Sequence, residues 1–182
     1  MPFCLLLLLL HSGQPGSVHA ESFSELEVRA VYLYNFAAFV DWPAASFETP
    51  TSPLRYCVLG TPALQTNVKR VLEGESVGDR PLELAPVNGP EDWRTCHLLY
   101  FDHSTQVQAS RILSAARGTP VLTVSDSEAF ARRGGMIGLV RKGERLRTFI
   151  NRDAVTAAGI RISSKLLRIS TLVEADREPA PP

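Results

Sequence analysis

Hydrophobic residues occur in short apolar or alternating stretches, separated by stretches in which they recur at helical spacing. The first pattern predicts strands at residues 54–59, 82–87, 96–101, 120–124, 136–140 and 146–150. The second predicts helices at residues 24–41, 62–73, 104–117, 126–133 and 151–158. A last helix is expected from Ser163 or Ser164, carrying Leu166, Leu167, Ile169 and Val173. Pro86 indicates that 82–87 is an edge strand.

Strands that alternate with helices indicate crossover connections between parallel strands. We therefore expect an α/β fold in one domain, with a mainly parallel sheet and helices on both faces. The last two strands flank a tight turn at Lys142, Gly143 and Glu144, which predicts a C-terminal antiparallel hairpin. A length of 182 residues fits a single domain, and the sequence shows no internal repeat.

The first twenty residues are typical of a secretory signal peptide. Leucines 5–10 form an apolar run too short to span a bilayer, and Val18 and Ala20 fit a cleavage site after Ala20. No Lys or Arg precedes the run, so a misassigned start codon and a buried cytosolic segment are alternatives. Cleavage leaves a domain at 21–177 and a 178–182 tail that we expect to be disordered.

The cysteines fit an exported protein. Removal of residues 1–20 removes Cys4 and leaves Cys57 and Cys96. An even number of cysteines in an oxidising compartment predicts a disulfide bond between them. Two reduced, buried thiols are the alternative.

The first predicted helix is apolar nearly all round, because only Asn35 is fully polar between residues 30 and 40. Such a helix must be buried on more than one side. Its second side meets another helix, a dimer partner or a target protein; complete burial within one domain is the alternative to an interface. We therefore predict a partner or dimer interface, and expect a charge at Phe36 or Phe39 to weaken association more than folding. The predicted interface residues are Tyr32, Phe36, Phe39 and Trp42.

The 19 basic and 19 acidic side chains give a formal net charge of zero, which argues against a nucleic-acid-binding protein. Locally, six cations lie between residues 132 and 147. They form either the solvated rim of the hairpin or a docking surface for an acidic partner or anionic ligand. Arg141 and Arg145 are our candidates there. Asn151, Arg161 and Lys165 are candidates for holding an anionic group.

Catalytic and metal-binding patterns are weak in this sequence. Residues 74–78 match the G-x-S-x-G pattern around Ser76, but a helix precedes and a strand follows, the reverse of a nucleophile elbow. His97 and His103 lie about 20 Å apart along an extended segment, too far to share a metal ion. Dinucleotide and phosphate-loop motifs are absent. We therefore expect no enzymatic activity, cofactor or metal, and interpret His97 as structural.

Several stretches, taken in order, resemble the YfiR family of small exported proteins. They are residues 28–36 with 42–43, 57–60, 96–97, 121–130, 134–137, 149–151 and 158–167. The resemblance implies a periplasmic α/β protein that forms homodimers and represses a membrane-anchored diguanylate cyclase by binding its periplasmic region. It also implies that a redox change, or capture by an OmpA-like outer-membrane lipoprotein, relieves the repression.

The same resemblance implies roles for particular residues. Cys57 and Cys96 match the family's cysteine pair, whereas a second pair present in some members is absent. Redox switching that depends on the second bridge is therefore not expected. Arg161 falls in the region of the family's basic pocket, so a periplasmic small-molecule-binding protein or sensor for another membrane receptor is the alternative function.

Overall fold

The computed structural model describes residues 24–102 and 109–176. The predicted signal peptide, most of the first half of the predicted 104–117 helix, and the predicted tail lie outside these residues. The helices are α1 (Glu25–Phe39), α2 (Pro62–Leu72), α3 (Ala109–Ala116), α4 (Glu128–Arg132), α5 (Arg152–Ala157) and α6 (Ser164–Ile169). The strands are β1 (Val40–Asp41), β2 (Leu54–Leu59), β3 (Ser76–Val77), β4 (Arg80–Leu84), β5 (Leu98–Phe101), β6 (Leu122–Ser125), β7 (Ile137–Lys142), β8 (Arg145–Asn151), β9 (Arg161–Ile162) and β10 (Thr171–Val173).

The central sheet of the described chain has eight strands in the order β10-β8-β7-β6-β5-β2-β4-β3. Strands β4, β2, β5, β6 and β7 run parallel, and β8 pairs antiparallel with β7. The predicted α/β class, mainly parallel sheet and C-terminal hairpin are confirmed. The hairpin closes at Gly143, whose φ of 61° lies in the left-handed region that glycine adopts without strain.

Helices cover both faces of the sheet because side chains alternate along each strand. Leu98 and Tyr100 of β5 share one apolar cluster with residues of α1, α2, α5 and α6. Leu99 and Phe101 of the same strand belong to a second cluster, with Ile112 of α3 and Phe130 of α4. The core therefore consists of two apolar layers, one on each side of the sheet.

Helix α1 begins with a capping box, in which Ser24 accepts from the Glu27 amide and the Glu27 carboxylate accepts from the Ser24 amide. The buried Arg29 side chain donates to the Leu139 carbonyl at 2.7 Å, which ties α1 to β7. The helix ends two residues before the predicted position. Val40 and Asp41 leave it to form the two-stranded β1–β9 ladder, opposite Ile162 and Arg161.

Two further sequence predictions were wrong. The last helix does not reach Val173: it ends at Ile169, and β10 then pairs with β8, with Val173 opposite Asn151. Strand β4 is not the edge of the sheet, because Ser76 and Val77 pair antiparallel with it on its outer side. In both cases the missed strand has only two or three residues, too few for a periodic pattern.

Candidate functional site

Cys57 and Cys96 form a disulfide bond, as predicted, with their Cα atoms 5.8 Å apart. The bond joins β2 to the residue pair that leads into β5, its parallel neighbour in the sheet. Both cysteines are buried, in the apolar cluster that also contains Trp93 and Val121. The bond therefore lies inside the packed core and fixes the spacing of two central strands.

His97 is a structural residue with hydrogen bonds at both ring nitrogens. Its Nδ1 accepts from the Arg55 amide at 3.0 Å, and its Nε2 lies 3.0 Å from the Ser46 carbonyl. This arrangement requires the neutral ring with its proton on Nε2. The Phe47 ring stacks on the imidazole at a centroid distance of 4.4 Å. Burial is the main cause that lowers the pKa of His97 below its usual value of 6.5.

The lowered pKa of His97 predicts a pH-dependent stability. A group whose pKa is lower in the folded state stabilises the protein above its unfolded pKa, near 6.5, and loses that contribution as the pH falls. Urea unfolding between pH 7.5 and 5 should show a falling unfolding free energy for the wild type and a flatter profile for His97→Gln. Glu25 and Glu27 have lowered pKa values, so they act only below about pH 4.5. Equal slopes in the two proteins would contradict this assignment.

The structure does not present the four predicted interface residues of the α1 region on one free surface. Phe36 is only 1% exposed and belongs to the core of the domain, so its placement in an interface was wrong. Tyr32, Phe39 and Trp42 are half-buried. The Trp42 indole donates to the His97 carbonyl at 3.0 Å. The second side of α1 is covered largely within the domain, by α2 and the segments around it.

The basic hairpin is partly neutralised by acids from elsewhere in the fold. Arg141 pairs with Glu25 of α1 at 2.9 Å and with Glu144 at 3.7 Å. Hydrogen bonds from Arg141, then from Arg29, are the largest causes of the lowered pKa of the Glu25 carboxyl. Arg145 is exposed and makes no ion pair with the described residues. Among the described residues, three of the six cations of this region, Arg132, Arg141 and Lys142, are therefore paired with acids on a solvated rim.

Asn151 is not available to a ligand, so its assignment to an anion site was wrong. Its side-chain oxygen accepts from the Ala154 amide at the start of α5, at 3.0 Å. Its side-chain nitrogen donates to the buried Ala131 carbonyl at 2.9 Å. The structure also separates Arg145 from Asn151, two of the residues predicted to hold an anion. Arg145 begins β8 and Asn151 ends it, and a seven-residue strand is about 20 Å long.

The segment from β9 to β10 carries a surface that the sequence only partly revealed. On α6, Lys165, Arg168 and Ile169 are exposed at spacings of three and four residues, so they share one face. Ile169 is 74% exposed and Leu172 49% exposed, unusual values for large apolar side chains. We define the C-terminal surface by these residues together with the exposed Arg161: Arg161, Lys165, Arg168, Ile169 and Leu172.

Two properties make the C-terminal surface suited to docking. Its cations are largely free, because Arg161 has only a 3.8 Å contact to Asp41 and the other two make no ion pair with the described residues. Strand β10 is also the last strand of the sheet, so its outer edge has no partner strand in the described chain. Unpaired edges are the sites at which sheets accept a strand from another chain.

A cavity of about 420 Å³ adjoins this surface. It is lined by Arg152, Thr156, Arg161 and Leu167, among other residues of α5, β9 and α6. The volume lies within the range of small-ligand pockets, about 300–1,000 Å³. Arg161 therefore belongs both to a cavity and to the C-terminal surface, whereas Lys165 lies only on the surface.

Comparison with known proteins decides the family. A family model described as YfiR/HmsC-like matches residues 26–171, most of the chain. The chain belongs to the YfiR/HmsC-like family. This result confirms the resemblance on which the sequence analysis relied.

The fold of this YfiR/HmsC-like protein is similar to that of a conserved domain protein from Vibrio cholerae O1 biovar eltor, known from a crystal structure. The TM-score is 0.50 and the sequence identity 14%. The match covers 82% of this chain and 60% of the other, so the chain spans less than two thirds of that protein's length.

The described part of this YfiR/HmsC-like protein offers no metal-binding group of three or more His, Cys, Asp or Glu residues. Ser76 lies exposed in the short strand β3, which leads into β4 rather than into a helix. In residues 24–102 and 109–176, no helix has the length and apolar character needed to cross a membrane. The features of the described structure that could support binding or redox chemistry are therefore the buried disulfide bond, the C-terminal surface and the cavities.

Proposed function

We propose that this protein acts in the periplasm as a signalling regulator that binds the periplasmic region of a membrane-anchored diguanylate cyclase and keeps cyclic-di-GMP synthesis low. The match to the YfiR/HmsC-like family over residues 26–171 is the observation that carries the proposal. The buried Cys57–Cys96 bond is consistent with an oxidising compartment. The role requires binding and not catalysis, so the protein is not an enzyme under this proposal.

The proposed inhibition is a shift between two states of the cyclase. A bound protein stabilises the inactive state only if it binds that state more tightly than the active one. The C-terminal surface provides the means for such binding: cations at Arg161, Lys165 and Arg168 beside apolar Ile169 and Leu172. An acidic and apolar segment of the cyclase is the complementary partner. A strand from that segment can also pair with the free edge of β10.

Regulation completes the proposal. We propose that the protein is a homodimer and that an OmpA-like outer-membrane lipoprotein captures it to release the cyclase. Tyr32, Phe39 and Trp42 remain our candidates for the dimer contact, since each is half-exposed on α1 or just after it. If the lipoprotein competes with the cyclase for the same surface of this protein, it can release the cyclase without a change in the fold of this protein.

The proposed function is tested by deleting the gene in its source cells and measuring intracellular cyclic-di-GMP. We expect the level to rise on deletion and to return with the wild-type gene. An unchanged level in a strain that normally exports the folded protein would contradict the proposal.

Charge substitutions on the C-terminal surface should break repression without unfolding the protein. Ile169→Glu and Leu172→Glu replace exposed apolar side chains, so the cost in folding stability should stay near 0.5 kcal/mol. We expect either variant to leave cyclic-di-GMP near the deletion level in the complementation assay. Ala63→Glu is the control and should repress like the wild type, because Ala63 is exposed on α2, outside both the C-terminal surface and the dimer candidates on α1. Repression by all three variants at the wild-type level would exclude this surface.

A small-molecule-binding role is the second candidate, favoured by the cavity that includes Arg152 and Arg161. A ligand of this cavity should raise the melting temperature in proportion to the logarithm of its concentration. The effect should be lost in Arg161→Gln, because Arg161 is 83% exposed in its side chain and contributes little to folding. A ligand that stabilises the wild type and Arg161→Gln equally binds elsewhere.

A further inference from the structure

A separate cavity lies at the end of the sheet where β2, β5 and β6 begin. Its volume is about 390 Å³, within the range of small-ligand sites. Arg55 of β2, Cys96 and His97 before β5, and Val121 before β6 form one side. The connector that follows β1 forms the other, with Phe47 and its neighbours. The disulfide bond therefore borders this cavity through Cys96.

The wall formed by the connector is held in place by several contacts. The Arg80 side chain donates to the carbonyls of Thr49 and Ser52, both at 2.9 Å. Its guanidinium also lies 3.5 Å from the centroid of the Phe47 ring. The other face of the Phe47 ring stacks on the His97 imidazole. A ligand therefore meets a preformed wall and pays little for ordering it.

The charge of the cavity favours an anion. Arg55 and Arg94 are among the residues that line it, and neither makes an ion pair within the described residues. Glu48 supplies the single carboxylate of the lining, so two positive charges against one negative leave a net charge of +1. A ligand with one negative charge balances this lining. Guanidinium groups bind carboxylates with paired, charge-assisted hydrogen bonds.

The remaining lining favours an apolar body attached to that anion. Phe47, Pro53, Pro120 and Val121 contribute apolar surface to the same cavity. His97 adds no free polar atom, because both of its ring nitrogens are already engaged. The cavity thus combines apolar walls with a small number of polar groups, the usual composition of a small-molecule site.

We propose that this cavity is a binding site for a small organic carboxylate, with the carboxylate held by Arg55 and Arg94 and its apolar body packed against Pro53, Pro120 and Val121. The site is distinct from the C-terminal surface and from the cavity at Arg161. Its existence does not depend on the proposed action on a cyclase, because binding is measured on the purified protein alone.

Calorimetric titration of the purified mature protein with acetate, benzoate and phenylacetate tests the site. We expect saturable 1:1 binding by at least one aromatic acid, tighter than that of acetate because the apolar body is buried. The neutral analogue of the same acid, benzamide or phenylacetamide, should bind at least about tenfold more weakly. Equal binding of acid and amide, or no saturation by any of the acids up to about 20 mM, would overturn the proposal.

Three substitutions locate the site, because two should weaken the binding of the carboxylate and one should strengthen it. Arg55→Gln and Arg94→Gln should each weaken binding about tenfold, since each removes a charged hydrogen-bond donor. Glu48→Gln should strengthen binding, because it removes the one negative charge of the lining. Lys69→Gln is the matched control and should leave the affinity unchanged, because Lys69 is an exposed cation of α2 outside this cavity. All of the substituted residues are exposed, so the variants should fold. Unaltered affinity in both Arg55→Gln and Arg94→Gln would place the ligand elsewhere.

Discussion

Reduction of the Cys57–Cys96 bond should lower the melting temperature by about 8–16 °C. The bonded residues are 39 positions apart, and the loop-entropy relation gives about 4 kcal/mol of stabilisation for a loop of that length. In a domain of this size, each kcal/mol shifts the melting temperature by about 2–4 °C. Because both sulfur atoms are buried in an apolar cluster, separate thiols also leave two core strands less firmly joined.

The measurement is thermal unfolding of the purified mature protein with and without dithiothreitol. A variant with both Cys57→Ala and Cys96→Ala is the control: its melting temperature should be close to that of the reduced wild type and insensitive to the reductant. A shift below about 3 °C on complete reduction would show that the bond contributes little to stability. The bond would then be a candidate for regulation in preference to a structural role.

A charge at Phe36 should prevent folding, whereas the same charge at Phe39 should not. Phe36 and Leu33 lie on the buried face of α1, in the core of the domain. Truncation to alanine at such a site costs about 3–5 kcal/mol, and an aspartate there adds the penalty of burying an unpaired charge. Phe39 is half-buried, so Phe39→Asp leaves its carboxylate access to water.

Circular dichroism and urea unfolding distinguish the two variants. We expect Phe36→Asp to lack a cooperative transition and Phe36→Ala to retain one at a lower midpoint. Phe39→Asp should unfold cooperatively, and any loss of dimer that it causes is then attributable to the surface. A folded Phe36→Asp with normal stability would mean that α1 is free to move away from the sheet. It would also restore Phe36 as a candidate interface residue.

The sequence was a sufficient guide to elements with a long repeating pattern. Strand β2 has the predicted bounds, and the Pro62-initiated helix and the hairpin differ from prediction by only a few residues. Strands β1, β3, β9 and β10 have two or three residues each, and no periodicity exists at that length. Their pairing depends on where distant parts of the chain meet, which a local pattern does not encode.

The candidate sites were harder to predict for the same reason. Glu25 neutralises Arg141 across 116 positions of the sequence, a pairing that no local charge count reveals. Ile169 fits the spacing of hydrophobic residues expected for a longer helix, but α6 ends at Ile169 and leaves its side chain exposed. For Asn151 the sequence did contain the answer, since its predicted role as a helix cap already commits the side-chain oxygen.

The disulfide pairing, in contrast, followed from counting alone. With residues 1–20 assigned to a predicted signal peptide, two cysteines remain and only one intramolecular bond is available; its geometry fits the parallel pairing of β2 with β5. The sequence did not show that the bond borders a cavity lined by Arg55 and Arg94. That cavity forms only where the connector after β1 meets distant parts of the chain.

The most direct test of the proposed regulation uses right-side-out inner-membrane vesicles from the source cells, loaded with GTP. The purified mature protein is added outside, where the periplasmic regions of membrane-anchored cyclases are accessible. We predict that cyclic-di-GMP synthesis slows in a saturable manner, and that Ile169→Glu at the same concentration slows it far less. An unchanged rate of synthesis with folded, disulfide-bonded wild-type protein would contradict the account.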